Sequence, residues 1–341
     1  MTRRAVVFEE PGVAAVREEP VPQPGAGEAL VRTVVSAISP GTEMLFYRGE
    51  VPPGTPVDAS IGALAGAVEY PLRYGYAAVG RVAALGAGVP PEWAGRLVFA
   101  FQPHASHFAA PVEDLIPVPE GVEPEAAAFL PNAETAVTLA LDGAPLYGER
   151  VAVFGQGVVG LLVTSLLARF PLACLVTVDR HARRRAASLV SGADASFGPD
   201  ELTGVGAFLD GGRPPAGADL AFELSGAPQA LADAIAVTGD YGRVVIGSWY
   251  GTKHVELDLG GRFHRSRMRL ISSQVSTIAP ELRGRWTRAR RFEAAWRAVR
   301  AAGPVRYITH RFPIERAPAA YALLDERPAE AIQVMLTYGE S

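Results

Sequence analysis

Cysteine is almost missing from this chain: Cys174 is the only one in 341 residues. A single thiol forms no intrachain disulfide and no multi-cysteine zinc site. No hydrophobic run approaches the length of a membrane span without a Gly, Pro or charge. The first residues, MTRRAVVFEEPG, carry an Arg pair but neither a long apolar run nor a cleavage-like site, so they do not read as a signal peptide. Strong charge of one sign is missing too. A net charge of −4 gives no general electrostatic reason to bind nucleic acid or an anionic membrane. There is no internal repeat and no low-complexity tract. What is present is globular: 49% apolar and 20% charged residues, in a chain too long for one ordinary core. These features predict a soluble cytoplasmic protein of two domains.

The first part of the chain is rich in Gly, Pro and short alternating runs. ALVRTVVSAI, YAAVGRVAALG and RLVFAF read as strands, separated by breaks such as PQPGAG and PPGTP. From Glu123 the pattern changes. PEAAAFLPNAETAVTLAL reads as helical, and β/α alternation follows. Strands are predicted at Val151–Phe154, Leu175–Val178, Leu220–Glu223 and Arg243–Ile246, with helices at Arg183–Ser191 and Pro228–Val237 among those between them. Pro228 is placed at the first helical position. GVGAFLDGGRPPAGAD reads as a surface connection with some short structure, and RWTRARRFEAAWRAVRAAG as an amphipathic helix. The tail reads strand, helix, strand and is expected to return to the first domain.

VAVFGQGVVGLLVTSLLARF is the most informative segment. An apolar strand meets Gly155, Gly157 and Gly160, then an apolar helix with no charge before Arg169. A second strand ends at Asp179, 19 residues after Gly160. Gly155 suits the tight turn, Gly157 an approach of backbone amides to a pyrophosphate, and Gly160 close helix–strand packing. The helix start at Val158 and Val159, after Gln156, supplies N–H groups and a positive dipole end. Asp179 is placed to accept from a ribose diol. The competing reading is a purely structural turn. Asp179 favours NAD over NADP because its charge repels a 2′-phosphate, whereas Arg180 and the Arg183-Arg184-Arg185 cluster would suit one. Ser225-Gly226 and Gly247-Ser248 follow strands and are further cofactor-contact candidates.

With SAISPGTEMLFYRG, YGYAAVGRVAALGAGV, VAVFGQGVVGLL, ADLAFELSGAPQAL, GRVVIGSWYG and ITHRFPIERAPAAY in order, the whole chain resembles the medium-chain dehydrogenase/reductase superfamily. Within it, "PGTE", "LPNAET" and "FHRSR…SQVSTI…RW" are similar to bacterial members of the bacteriochlorophyllide dehydrogenase kind. The resemblance implies an α/β fold: a GroES-like β-barrel catalytic domain over residues 1–122, completed by 286–341, and a Rossmann domain with a doubly wound parallel sheet over 123–285, with an active-site cleft between them. It also implies a homodimer. Zinc-dependent members place a Cys where this chain has Pro40, a His where it has Tyr76, and a third ligand near Pro131-Asn132; their four-cysteine lobe is missing. Proline and tyrosine do not replace thiolate and imidazole, so a zinc-free member is expected. A new metal site using Glu43 or Glu134 with a histidine is the competing reading.

Without a Lewis acid, a developing alkoxide needs hydrogen-bond donors or a positioned acid. Thr42 matches the family hydroxyl that relays the substrate proton, or is a helix N-cap. Tyr76 is a phenol donor, or a plug filling vacated metal space. Glu43 lies close by, or pairs with Arg48; Tyr47 is a further donor candidate or surface packing. His104 and His107 are acid/base candidates or satisfied loop histidines. Asn132 orients substrate or carboxamide, or caps the following helix. His264, Arg265, Arg267 and Arg269 form a solvated basic face, an anion site or a subunit interface. Trp249 and Tyr250 are expected to line the cleft. The leading expectation is a zinc-independent NAD(P)-dependent oxidoreductase interconverting a secondary alcohol and a ketone. An enoyl or quinone reductase acting on an activated C=C bond is the alternative, and a nucleotide-binding protein without turnover is a third.

Overall fold

A computed structural model describes residues 1–210 and 216–339. The chain divides into two compact units, Met1–Pro131 with Gly303–Ser341, and Asn132–Ala302. Both boundaries fall later than the 122/123 and 285/286 expected from sequence. The reason is packing: a short helix after Glu123 lies on the strands of the first unit, and the helix ending at Ala302 lies on a helix of the second. Among the described residues, no helix is long and apolar enough to cross a membrane.

In the first unit, β1 (Thr2–Glu10) and β2 (Val13–Pro20) form an antiparallel hairpin. The hub is β3 (Glu28–Ile38), where Ala29, Val31, Thr33 and Val35 alternate into the core before a wholly buried end. After α1 (Glu43–Tyr47), β4 (Ala78–Leu85) pairs with β3, and β5 (Leu97–Ala100) with β4. Strand β6 (His107–Pro111) also pairs with β3, and β7 (Ile116–Pro117) pairs with β5. The predicted helical stretch after Glu123 is two helices, α2 (Pro124–Ala127) and α3 (Leu130–Gly143). Asn132 lies inside the first turn of α3, so it is not that helix's cap.

The second unit is built on β8 (Arg150–Phe154), α4 (Val158–Leu167), β9 (Cys174–Val178), α5 (Ala182–Val190) and β10 (Ala195–Phe197). It continues with α6 (Leu202–Asp210), β11 (Ala218–Glu223), α7 (Gln229–Val237), β12 (Thr238–Ile246), β13 (Arg269–Ser272) and α8 (Arg288–Ala302). Helix α6 corrects the loop expected over 204–219: Val205 and Leu209, four apart, are buried, and Gly204 and Gly206 had masked that spacing. Residues 211–215 of that segment lie outside the described residues. Pro228 caps α7 rather than opening it. The sheet runs β10–β9–β8–β11–β12–β13, every pair parallel. Val151, Ala152, Val153 and Phe154 are all buried, the continuous apolar run of a strand covered on both faces. Strand order reverses between β8 and β11, the point where open parallel sheets bind ligands.

The tail returns to the first unit as expected. Strands β14 (Ile308–Pro313) and β15 (Gln333–Thr337) flank α9 (Ala317–Glu326), and β15 adds antiparallel to β3. That sheet has the order β14–β15–β3–β4–β5–β7. The two units are the sheet domain and the Rossmann-type domain of the expected α/β fold.

Candidate active site

At the reversal point of the parallel sheet the glycines take distinct roles. Gly155 has φ +88°, and a Cβ there would meet Ser225 Cα at 2.5 Å. Only glycine fits this turn. A Cβ on Gly160 would meet the Gly155 carbonyl oxygen at 1.9 Å, so α4 sits directly on the loop. Gly157 caps α4 with no side-chain bond, and nothing lies within 4 Å of where its Cβ would be. The first amides of α4, including those of Val158 and Val159, are therefore the open end of an apolar helix, suited to an anion.

Asp179 ends β9 and is 7% exposed. Its Oδ2 accepts from Gln156 N at 2.7 Å and its Oδ1 from His181 N at 2.7 Å. Both oxygens are fixed in direction, each with a lone pair to spare. The Gln156 side chain is fully buried: its amide donates to the Gly155 carbonyl and its Oε1 accepts from Thr164. Its backbone N–H is spent on Asp179, so Gln156 braces the loop from within. Arg180 is exposed and donates to His181 Nε2 at 3.0 Å, and Arg185 donates to the Asp179 carbonyl at 2.9 Å. Burial, then the Arg184 charge, pushes the His181 imidazole down.

Across the reversal, Glu223 is fully buried and organises both following loops. Its Oε1 accepts from Ser225 N at 2.8 Å and Ser225 Oγ at 2.5 Å, and its Oε2 from the Tyr250 phenol. Burial, reinforced by Glu223, pushes the Tyr250 phenol well above its ordinary value. Ser248 Oγ accepts from Gly226 N at 2.9 Å, and a Cβ on Gly247 would meet Leu139 at 2.6 Å. Trp249 is 47% exposed while Tyr250 turns inward. In α3, Asn132 and Glu134 are buried, and Glu134 is paired by Arg291 of α8 at 2.6 Å. Burial raises the Glu134 carboxyl against the pull of that guanidinium. His264, Arg265, Arg267 and Arg269 are exposed; Arg267 lies 6.0 Å over the Tyr241 ring.

The first unit gathers a second constellation. Glu43 opens α1 and His104 precedes β6, and both are fully buried. His104 Nε2 lies 3.0 Å from Glu43 Oε2, and its Nδ1 2.7 Å from Ser36 Oγ. Ser36 Oγ is 2.7 Å from the Tyr338 hydroxyl. The Tyr321 phenol donates to Glu43 Oε2 at 2.6 Å, and Ser39 N to Glu43 Oε1 at 2.8 Å. The His104 ring presses so closely on Gly75 that a Cβ there would meet it at 2.6 Å. Tyr76, half-buried, donates to Ser39 Oγ at 2.5 Å, and the Thr42 hydroxyl is also bonded to it. Burial pushes the Tyr76 phenol up to about 12; Glu43 adds to the rise and the Ser39 and Thr42 bonds oppose it.

Thr42 occupies the cap position of α1 but makes no side-chain capping bond. Arg48 pairs with Asp325 rather than Glu43, because the carboxylate faces inward to His104. Tyr47 is core, not surface: it is 7% exposed and stacks on Tyr321 with ring centres 5.5 Å apart. His107 is half-buried beside Ser106, its pKa lowered by burial and then by Arg32 and Arg3. Sequence reasoning missed Ser36, Ser39, Tyr321, Tyr338 and Glu223. No local pattern marks Tyr321, which is 278 residues from its partner Glu43.

No family model matches the chain. The 5-exo-hydroxycamphor dehydrogenase of Pseudomonas putida is 26% identical over 296 residues, 72% of this chain and 76% of that protein. Among solved structures, an alcohol dehydrogenase (rspB) from Escherichia coli CFT073 complexed with NADH superposes with TM-score 0.78 at 19% identity, over 98% of this chain and 99% of that one. A proposed zinc-binding dehydrogenase from Sinorhizobium meliloti 1021 bound to NADP gives 0.76 at 21% identity, over 99% of each chain. Two-domain dehydrogenases that bind a nicotinamide nucleotide are thus the class whose fold this chain shares. Its homologues are zinc-type alcohol dehydrogenase-like members of the medium-chain dehydrogenase/reductase superfamily. Zinc, implied by several of these, meets a poor donor set here. The Pro40 side chain has no ligand atom, the Tyr76 phenol is bonded to Ser39, and Glu43 and His104 are spent on each other. Among the described residues, no three of His, Cys, Asp and Glu form a group able to hold a metal ion.

Proposed function

We propose that this protein is an NAD-dependent oxidoreductase that interconverts a secondary alcohol and a ketone without catalytic zinc. The observation that carries the reading is the Tyr76 hydroxyl, a phenol bonded to Ser39 and Thr42 where metal-dependent relatives have a ligand. A bound nicotinamide supplies the hydride acceptor or donor. Gly155, Gly157, Gly160 and the start of α4 accommodate the pyrophosphate, and Asp179, already oriented by two amides, receives the ribose diol. Charge repulsion at Asp179 favours NAD over NADP. Ser225, Gly247 and Ser248, tied together through Glu223, complete the cofactor side. Tyr76 holds its proton at neutral pH. During reduction its O–H turns from Ser39 Oγ to the carbonyl oxygen and gives up the proton, the Ser39 hydroxyl donates to the phenolate that is left, and water reprotonates it before the next turnover. Thr42 shares the hydrogen-bonding role. His104, fully enclosed, acts within the protein rather than on substrate. Asn132 is buried in α3 and takes the orienting role, and the protein acts as a cytoplasmic homodimer.

The test is direct. Purified protein is assayed for NADH oxidation with a panel of ketones, enones and quinones, and for NAD reduction with secondary alcohols, with metal content measured in parallel. Turnover of alcohols and ketones by metal-free protein, at least tenfold faster with NAD(H) than with NADP(H), is expected, a ratio of about 1.4 kcal/mol. Turnover confined to enones or quinones replaces the reading with C=C reduction. Activity that tracks zinc content removes the metal-free mechanism.

A further inference from the structure

The buried polar cluster of the first unit contains more than the proposed donor requires. A carboxylate and an imidazole, both 0% exposed, are costly in a core unless every atom is bonded. Here each is. Glu43 accepts from Tyr321, from Ser39 N and from His104. His104 Nε2 faces the carboxylate, its Nδ1 faces the Ser36 hydroxyl, and that hydroxyl in turn meets the Tyr338 hydroxyl. None of these atoms is left without a partner. The chain of bonds joins β3, α1, α9 and the residue after β15. One branch of it, through Ser39, ends at Tyr76.

We propose that the Glu43–His104 pair is a positioning device for the Tyr76 hydroxyl. The Glu43 carboxylate fixes the backbone of Ser39, and Ser39 presents the oxygen against which the phenol is held. His104, braced by Ser36 and packed on Gly75 beside Tyr76, keeps the carboxylate in place and sets the position of the segment that carries the phenol. The pair occupies the interior beside the metal-equivalent position and supplies by hydrogen bonding the rigidity that ligation would otherwise impose. This rests on Tyr76 being the substrate-side donor.

A double-mutant cycle tests it on the full chain, with steady-state ketone reduction by NADH as readout. Tyr76→Phe is expected to lower kcat about 100-fold, within the usual range for a lost general acid. Glu43→Gln turns an amide against the donors of His104 and Tyr321, and is expected to lower kcat about 30-fold with the KM for NADH unchanged. In the Tyr76→Phe background the same change should cost less than about 3-fold, because its effect runs through the missing phenol. An equal loss in both backgrounds overturns the proposal. If Glu43→Gln does not fold, Ser39→Ala, which leaves the buried pair intact, takes its place in the cycle with the same criterion. A second readout needs no turnover. In protein isotope-labelled at tyrosine Cζ, the Tyr76 NMR resonance, assigned by its loss in Tyr76→Phe, should move in Ser39→Ala and His104→Gln while that of exposed Tyr147 stays. An unmoved Tyr76 resonance overturns the positioning role. If Tyr76→Phe keeps wild-type kcat, the donor reading fails and the resonance alone decides the positioning.

Discussion

Tyr76 illustrates how a single residue's chemistry is set by its surroundings. Burial disfavours the phenolate, and the neighbouring Glu43 carboxylate adds to that, so the phenol is pushed up to about 12. A folded-state value above the ordinary one of about 10 means that Tyr76 stabilises the protein below roughly pH 10, and that this contribution is lost as pH rises toward 12. For the donor role proposed above, the consequence is a proton that stays put at neutral pH. The pH–rate profile of ketone reduction should show no ionisation of Tyr76 between about pH 7 and 10. A limb inside that window that disappears in Tyr76→Phe would contradict the assignment. The sequence marked Tyr76 as a candidate because a tyrosine stood where a ligand was expected. It did not reveal whether the ring was a plug or a donor. In the fold the Tyr76 hydroxyl donates to Ser39 Oγ, 2.5 Å away, a contact that the donor reading proposed above builds on.

At the scale of elements, the most legible unit was strand, glycine loop and helix. Three glycines between an apolar strand and an apolar helix mark where the backbone needs a positive φ and a close approach, so β8, the turn and α4 were predicted nearly as they occur. Gly160→Ala sharpens this reading. Its methyl would lie 1.9 Å from a backbone oxygen that cannot rotate aside, so the loop or the helix must shift. A loss of about 3 kcal/mol in denaturant-measured stability is expected, together with weakened NADH binding by fluorescence titration. A variant of wild-type stability and affinity would show that α4 does not need its close approach. Elements lacking such constraints were harder to read. The α6 pattern was hidden by two glycines, and α2 and α3 merged into one apolar stretch across the domain boundary. In both cases propensity was ambiguous and packing decided, Val205 and Leu209 against the sheet and α2 against β3 and β4.

For the whole molecule, the cofactor site proposed on the parallel sheet makes the stability of its unit depend on ligand. Ligand that binds only the folded state stabilises by mass action, so NADH at roughly 100 times its Kd should add about 2.7 kcal/mol. Scanning calorimetry would register this as a raised transition that includes the Asn132–Ala302 unit. A thermogram indifferent to NADH and NAD would remove the cofactor assignment. The sequence by itself determined the parallel-sheet fold, the glycine turn, the position of Asp179 and the exclusion of an intrachain disulfide or multi-cysteine site. These rest on local rules: strand and helix periodicity, glycine's missing Cβ, and a count of one cysteine. Tertiary structure alone decided the rest. Glu43, His104, Ser36, Tyr321 and Tyr338 come from segments far apart in the chain, and nothing local predicts that they share one buried network. A buried charge must find partners wherever the fold brings them, and only the folded chain shows which ones it found.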